Sequence, residues 1–304
     1  MKIVFAGTPE VALPSLNALH DSRHELLAVV TRPDAPAGRG RRMSQSPVAA
    51  RAQELGIPVL KPTKPGDEDF VAELHALAPD ACPVVAYGAL LPQRVLDIPR
   101  LGWVNLHFSE LPRWRGAAPV QRAIMAGDVT IGTSCFRIVG ELDAGDVYRS
   151  SSITVPDATA GELLSSLADS GAPQLLAALE AMETGEVPTP QPDEGITIAP
   201  KVSVADARIH WGTAATHARN LVMGCSPDPG AWCELDGERF KIFRARVADE
   251  SEPGEPGQLR TTKHQVFVAT GDGEVQLLEV QPAGKRRMTA IDWARNNAAG
   301  KVLS

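Results

Sequence analysis

The chain has 304 residues, 43% of them apolar and 22% charged, an ordinary globular composition with room for about two domains. No run reaches about 18 apolar residues, and the opening Met1–Gly7 is too short and strand-like for a secretory leader, so a cytoplasmic protein without a membrane span is expected. The net charge of −7 excludes a uniformly basic nucleic-acid binder, yet the whole excess lies in residues 1–205, while residues 206–304 carry 13 charges of each sign.

In chain order, Lys2–Ala6 is a short apolar run ending in Gly7, and a helical pattern follows from Pro9 to Leu19. Leu26–Thr31 reads as a second buried strand, Pro47–Leu55 as a helix stopped by Gly56, and Ile57–Leu60 as a strand. Asp67–Leu77 is amphipathic, with Phe70, Val71, Leu74 and Leu77 at helical spacing. Cys82–Ala86 and Trp103–Phe108 are further strands. Short apolar runs alternating with helices predict an α/β domain with a parallel sheet covered on both faces. Ala118–Ala126 reads as a helix, Ile131–Val139 and Val147–Val155 as two strands, and Gly161–Thr184 as one long helix or two broken near Gly171 and Pro173.

The texture changes at Glu186. Residues Val187–Pro200 hold four prolines and read as a linker. A helix at Ala214–Met223 then precedes short strands at Ala231–Leu235, Phe240–Val247, Gln265–Thr270 and Glu274–Val280, separated by turns such as Asp236-Gly237. Short strands at close intervals suggest a small β-barrel. The expected division is a catalytic domain over 1–186, a linker over 187–206 and a second domain over 207–304.

Side chains alternate along a strand, so Asn105 and His107 share one face of Trp103–Phe108, near the strand's carboxyl end, where open α/β sheets bind ligands. An amide beside an imidazole can polarise a carbonyl and hold the oxyanion that forms there. A hydrogen-bonded histidine with no chemical task is the plainer reading of the pair alone. The next segment, Ser109–Gly116, sets two arginines around Trp114 between Pro112 and Gly116, which is either a surface turn or a loop carrying ligand contacts. In Leu142-Asp143-Ala144-Gly145-Asp146, the Asp143 carboxylate could hold an imidazolium or relay protons, or simply stabilise a turn. The cysteines Cys82, Cys135, Cys225 and Cys233 form no CxxC, and no histidine pair has metal spacing, so neither a disulfide nor a metal is expected. Two dense basic clusters, Arg39-Gly40-Arg41-Arg42 and Lys285-Arg286-Arg287, can bind phosphate locally or stand as solvated loops.

Taken together, Phe5-Ala6-Gly7-Thr8-Pro9, Asn105-Leu106-His107, Leu111–Pro119 and Leu142–Asp146 resemble the 10-formyltetrahydrofolate-dependent formyltransferases. Pro36–Arg42 and, in the second half, Ala207-Arg208-Ile209, Pro229–Trp232, Val268–Gly273 and Gln281–Lys285 resemble the branch that acts on methionyl-tRNA, so the resemblance spans nearly the whole chain. It implies a Rossmann-like, mostly parallel sheet followed by an oligonucleotide-binding-type barrel. It also implies transfer of formyl from 10-formyltetrahydrofolate to the α-amino group of initiator methionyl-tRNA by a cytoplasmic monomer. Carried over residue by residue, the catalytic trio is Asn105, His107 and Asp143. The folate carrier is implied to lie along Tyr87, Gly88, Ala89, Leu90 and Leu91 and along Ser109, Glu110, Leu111 and Pro112. The tRNA contacts are implied at Arg39, Arg41 and Arg42 and at Lys285, Arg286 and Arg287. Glu110, Phe108, Glu141 and Asp228 depart from the family pattern, and Glu110 is expected to point to solvent. A nucleotide-sugar formyltransferase and a nucleic-acid-binding protein with a disabled α/β domain are the competing readings. The basic loop argues against the first, and the intact trio against the second.

Overall fold

The computed structural model describes residues 1–37, 42–295, 298 and 300–304, so Arg39 and Arg41, with the side chain of Arg42, lie outside the described residues. Contacts divide the chain into two compact units. The first comprises Met1–Gly116, Gly132–Ile153 and Leu164–Ile198, and the second comprises Ala117–Ile131, Thr154–Leu163 and Ala199–Ser304.

In the first unit the strands are β1 (Lys2–Gly7), β2 (Glu25–Val30), β3 (Val59–Leu60), β4 (Ala81–Val85), β5 (Gly102–His107), β6 (Thr130–Arg137) and β7 (Val147–Thr154). They form one sheet in the order β7-β6-β5-β4-β1-β2-β3. The pairs from β5 to β3 are parallel, and β6 runs antiparallel to β5. The parallel strands read as near-continuous apolar runs because both of their faces are covered. Val4, Ala6, Val84, Tyr87 and Trp103, for instance, are buried in one cluster with Phe70 and Leu74 of a covering helix.

The helices are α1 (Leu13–His20), α2 (Pro47–Glu54), α3 (Glu68–Leu77), the single turn α4 (Gln93–Leu96), α5 (Pro119–Ala126), α6 (Ala160–Thr184), α7 (Ala215–Gly224) and α8 (Ala290–Ala294). The pattern predicted as one helix from Pro9 to Leu19 divides into a 3-10 turn at Glu10–Ala12 and then α1. Pro14 explains the restart, since a residue without an N–H fits only the first turn of an α-helix. In contrast, α6 runs unbroken through Pro173. Pro173 and Asp169, whose carbonyl loses its helical donor, are both exposed, so water can satisfy that carbonyl while the opposite face stays buried.

The second unit carries an antiparallel sheet of β8 (Ala231–Leu235), β9 (Glu238–Val247), β10 (Leu259–Thr261), β11 (Val266–Ala269), β12 (Glu274–Gln281) and β13 (Met288–Thr289). Its order is β8-β9-β12-β11-β10, with β13 on β12. The last residues close it. The Ser304 and Glu234 backbones exchange hydrogen bonds of 2.7 and 3.0 Å on the β8 edge, while Leu259 N–H reaches the Lys301 carbonyl (3.2 Å) on the β10 edge. The chain terminus therefore spans both open edges, and the barrel predicted from strand spacing is completed by four residues with no strand signal of their own. Among the described residues, no helix is long and apolar enough to cross a membrane.

Candidate active site

Strand β5 delivers Asn105 and His107 to one face, as alternation requires. Asn105 lies level with Val84 and Phe136, and His107 level with Ser134. The imidazole is buried (6% exposed) and meets Phe136 edge-on at 6.3 Å between centroids. Its Nε2 lies 2.8 Å from the Trp114 carbonyl, to which it donates. Its Nδ1 faces Asp143 Oδ2 at 3.9 Å, ion-pair range without a direct hydrogen bond. The Asn105 amide is half-buried and makes no hydrogen bond to any described residue, so its donors are uncommitted.

Asp143 is held by backbone. Its Oδ2 accepts from Gly116 N–H at 2.7 Å, and its own φ of 49° places it in the left-handed region. The loop before it is stapled at several points. Ser109 Oγ donates to the Arg113 carbonyl (2.6 Å), Ser134 Oγ donates to the Ser109 carbonyl (2.8 Å), and Trp114 N–H donates to Thr197 Oγ1 (2.8 Å). Residues 109–116 thus form a fixed scaffold whose peptide groups at 114 and 116 hold one member of the His107–Asp143 pair each. Sequence reasoning missed Arg115, Gln191 and Thr197. Arg115 has the sequence context of an exposed loop cation, but it is 7% exposed and bonds to Gln191 Oε1 and Glu141. Gln191 and Thr197 lie in the predicted linker, and a lone polar residue among prolines carries no local signal.

Of the carrier segments, Tyr87 is buried and its carbonyl accepts from Thr8 Oγ1 (2.7 Å), Gly88 takes a φ of 83°, and Leu90 is 82% exposed. Ala89 and Leu91 pack at the margin of the Tyr87 cluster. The side chain of Ser109 is consumed by its loop, Leu111 N–H donates to Ser134 Oγ (3.0 Å), and Pro112 is buried. Glu110, expected to point to solvent, is partly exposed. Its Oε1 accepts from Ser152 Oγ at 2.7 Å, and its Cγ occupies the space above Gly132, 2.7 Å from where a Cβ there would stand. The carboxylate meets a hydroxyl on β7 at the surface, while the methylene stem lies over Gly132. Phe108 is buried, Glu141 pairs with Arg115, and the Asp228 carbonyl accepts from Gln121 Nε2 at 2.7 Å. A cavity of about 310 Å³ lies between α4, the start of β5 and the end of β6, walled by Leu96, Trp103, Ile138 and Val139 with Gln93, Asp97 and Arg137 at its polar side. Its residues 138–140 open the loop that carries Asp143.

Comparison with known proteins settles the family. Residues 1–179 match the family model "Formyl transferase" and residues 201–298 match "Formyl transferase, C-terminal domain". The methionyl-tRNA formyltransferase of Streptomyces griseus subsp. griseus is 56% identical over 298 residues, covering 97% of this chain and 96% of that protein. The chain belongs to the formyl transferase family.

Similar solved structures of this family's fold include HypX from Aquifex aeolicus, in complex with tetrahydrofolic acid (TM-score 0.70, 20% identity, 99% of this chain and 48% of that one). Another is the methionyl-tRNA formyltransferase from Clostridium thermocellum (TM-score 0.60, 14% identity, 89% of this chain and all of that one). In this formyltransferase all four cysteines are free and buried, and burial pushes the thiols of Cys225 and Cys233 up to about 12, so neither is a nucleophile near neutral pH. Among the described residues no cluster of three or more His, Cys, Asp or Glu could hold a metal. In the second basic cluster Arg287 pairs with Glu279 and lies over the Phe243 ring at 4.4 Å. Lys285 and Arg286 are exposed and have no acidic partner among the described residues.

Burial lowers the proton affinity of His107, opposed by the Asp143 charge and the Trp114 carbonyl. The net direction is below the ordinary 6.5, so the ring of the free enzyme is neutral at neutral pH. Above 6.5 both folded and unfolded chains hold a neutral ring; as pH falls, the unfolded chain protonates first and stability is lost. The expected result is an NMR titration of His107 with its midpoint below 6.5, and a loss of urea stability below that pH that is smaller in His107→Gln. A midpoint at or above the ordinary value would contradict this ordering of effects.

Proposed function

We propose that this formyltransferase moves the formyl group of 10-formyltetrahydrofolate to the α-amino group of initiator methionyl-tRNA in the cytoplasm, acting as a monomer. The transfer chemistry is carried by one observation: an uncommitted Asn105 amide sits on the same strand face as the His107–Asp143 pair. The acceptor rests on the relatives at 56% identity over almost the full chain.

Attack by the amino nitrogen forms a carbon–nitrogen bond and leaves negative charge on the formyl oxygen. Asn105 donates an N–H to that oxygen, and His107, once protonated, adds positive charge beside it. With Nε2 committed to the Trp114 carbonyl, Nδ1 is the nitrogen that gains and releases a proton, and the Asp143 carboxylate favours its charged state. Collapse breaks the bond to the carrier nitrogen, which receives the proton lost by the attacking amine. A fixed donor of this kind is worth about 3 kcal/mol of barrier. The cavity beside α4 suits the flat ring system of the carrier, with apolar walls and a polar edge. From Trp103 to Asn105 the strand advances about 7 Å, so a carrier whose ring system occupied that cavity would present the formyl group on its side arm toward the Asn105 amide.

The deciding assay is transfer of labelled formyl from 10-formyltetrahydrofolate to methionyl-tRNA, run beside an amino-sugar nucleotide and a hydrolysis control. Transfer to the tRNA alone supports the reading, and preference for the amino sugar overturns it. The tRNA contacts are testable on the same footing. A polyanion bound by a protein of net charge −7 needs local cations, and each phosphate contact steepens the fall of affinity with salt. Neutralising Lys285 and Arg286 is expected to raise KM for methionyl-tRNA and flatten the log–log salt slope by about 1 to 2, leaving kcat unchanged. Neutralising Arg41 and Arg42 is expected to lower kcat as well, because that loop guides the reacting end. Unchanged KM and salt slope in both double variants would assign the tRNA to another surface.

A further inference from the structure

We propose that Gln191 is a positioning residue: its side-chain amide fixes the Asp143 loop at its working distance from His107. The inference rests on the proposed roles of His107 and Asp143.

The segment Val187–Pro200 has the composition of a linker, yet it is tied down on both sides of Gln191. Thr189 exchanges backbone bonds with Val147 (2.8 and 2.9 Å), and Thr197 accepts from Trp114 and Arg115 N–H groups (2.8 and 2.9 Å). Between these anchors the Gln191 amide uses its full bonding capacity. Its Nε2 donates to the Asp143 carbonyl (2.9 Å) and the Gly145 carbonyl (2.8 Å), and its Oε1 accepts from Arg115 Nε (3.2 Å) and Nη2 (2.9 Å).

The two sides of that amide are the two sides of the active site. Arg115 lies between the peptide groups that hold the His107–Asp143 pair: the Trp114 carbonyl accepts from His107, and Gly116 N–H donates to Asp143. Gln191 thus closes a ring from His107 through residues 114–116 to Asp143; Glu141, in the same loop, also pairs with Arg115, but through an exposed side chain and without reaching the Asp143 and Gly145 carbonyls that Gln191 holds. The 3.9 Å gap between His107 Nδ1 and Asp143 Oδ2 is short enough for charge to act and too long to be held by a direct bond, so its length must be set from outside the pair. An amide bonded on four sides has no slack with which to let it drift.

The test uses the full-length protein. Gln191→Met keeps the arm's length and removes the amide. Gln191→Glu keeps the acceptor for Arg115 and removes the donors to the 143 and 145 carbonyls. Both are expected to lower kcat about tenfold, with KM for methionyl-tRNA and for 10-formyltetrahydrofolate within about twofold of wild type. In Gln191→Met the NMR midpoint of His107 should move to lower pH, because the carboxylate that favours its proton has drifted away. A merely structural glutamine would lower the melting temperature without moving kcat per folded molecule or the His107 midpoint, and that result overturns the proposal. If Gln191→Met does not fold, the kcat of Gln191→Glu decides between the two roles. His107→Asn is run alongside. Should it keep near-wild-type turnover, the site assignment itself fails and this proposal with it. Should it be inactive while both Gln191 variants match wild type, only the role of Gln191 is withdrawn.

Discussion

Replacing His107 with alanine is expected to lower turnover by about a hundredfold or more while the protein still folds. The ring is buried at the end of β5, anchored through Nε2 to Trp114 and facing Asp143 through Nδ1, so a proton gained at Nδ1 puts positive charge inside the site beside a carboxylate. Asn105→Ala removes the uncommitted amide and should cost a similar factor. Asp143→Asn is the more informative change, because it leaves an oxygen to accept from Gly116 N–H and removes only the charge. Its turnover should fall and the His107 midpoint should move down, since the carboxylate raises the ring's proton affinity against burial. The three act as one unit, so the triple variant should cost less than the product of the single factors. Turnover within threefold of wild type for folded His107→Ala would remove it from the mechanism, whatever the other two variants did.

Gly145→Ala is expected to be nearly as damaging, although it adds one methyl and touches no reacting group. A Cβ at this position would stand 1.8 Å from the Arg137 carbonyl oxygen, far inside contact distance. That carbonyl belongs to the end of β6, and the same residue's N–H already binds the Asp146 carbonyl at 2.9 Å, so the loop is pinned against the strand immediately after the glycine. Relief requires the loop to lift by about 1 Å or more, which would move Asp143, two residues away, off Gly116 and away from His107. Misplacement on that scale costs about a hundredfold in rate. The measurement is kcat per folded molecule together with the melting temperature, and both should fall. A variant with wild-type kcat would mean that the loop can move without carrying Asp143 with it. The glycine of the Asp143–Asp146 motif thus has a packing reason, close approach to a backbone carbonyl, separate from any contact with substrate.

How far the site is legible in the sequence differs residue by residue. The common face of Asn105 and His107 is legible, because alternation along a strand is a local rule that six residues suffice to express. The pairing of His107 with Asp143 rests on family resemblance, because nothing near Asp143 says where its loop will turn. The structure reaches that pairing through a left-handed backbone at Asp143 and a bond from Gly116, across a separation of 36 residues. The burial of Arg115 and the return of Glu110 onto Ser152 have no local signal either, since an exposed and a buried arginine look alike in sequence until a partner such as Gln191 is known.

By itself, the order of residues determined the succession of strands and helices, the mostly parallel sheet and the short-stranded second half. Those follow from apolar spacing matched to one element at a time. Tertiary structure decided the rest. It let α6 pass through Pro173, whose lost bond faces water, where composition allowed two helices. It closed the second unit's barrel with Lys301–Ser304, a tail that bonds to the two sheet edges left open to it. It also turned a proline-rich linker into the strut that carries Gln191. In the last two cases the deciding bond joins segments far apart in the chain, and a hydrogen bond's donor and acceptor are chosen by where the backbone brings them rather than by the residues on either side.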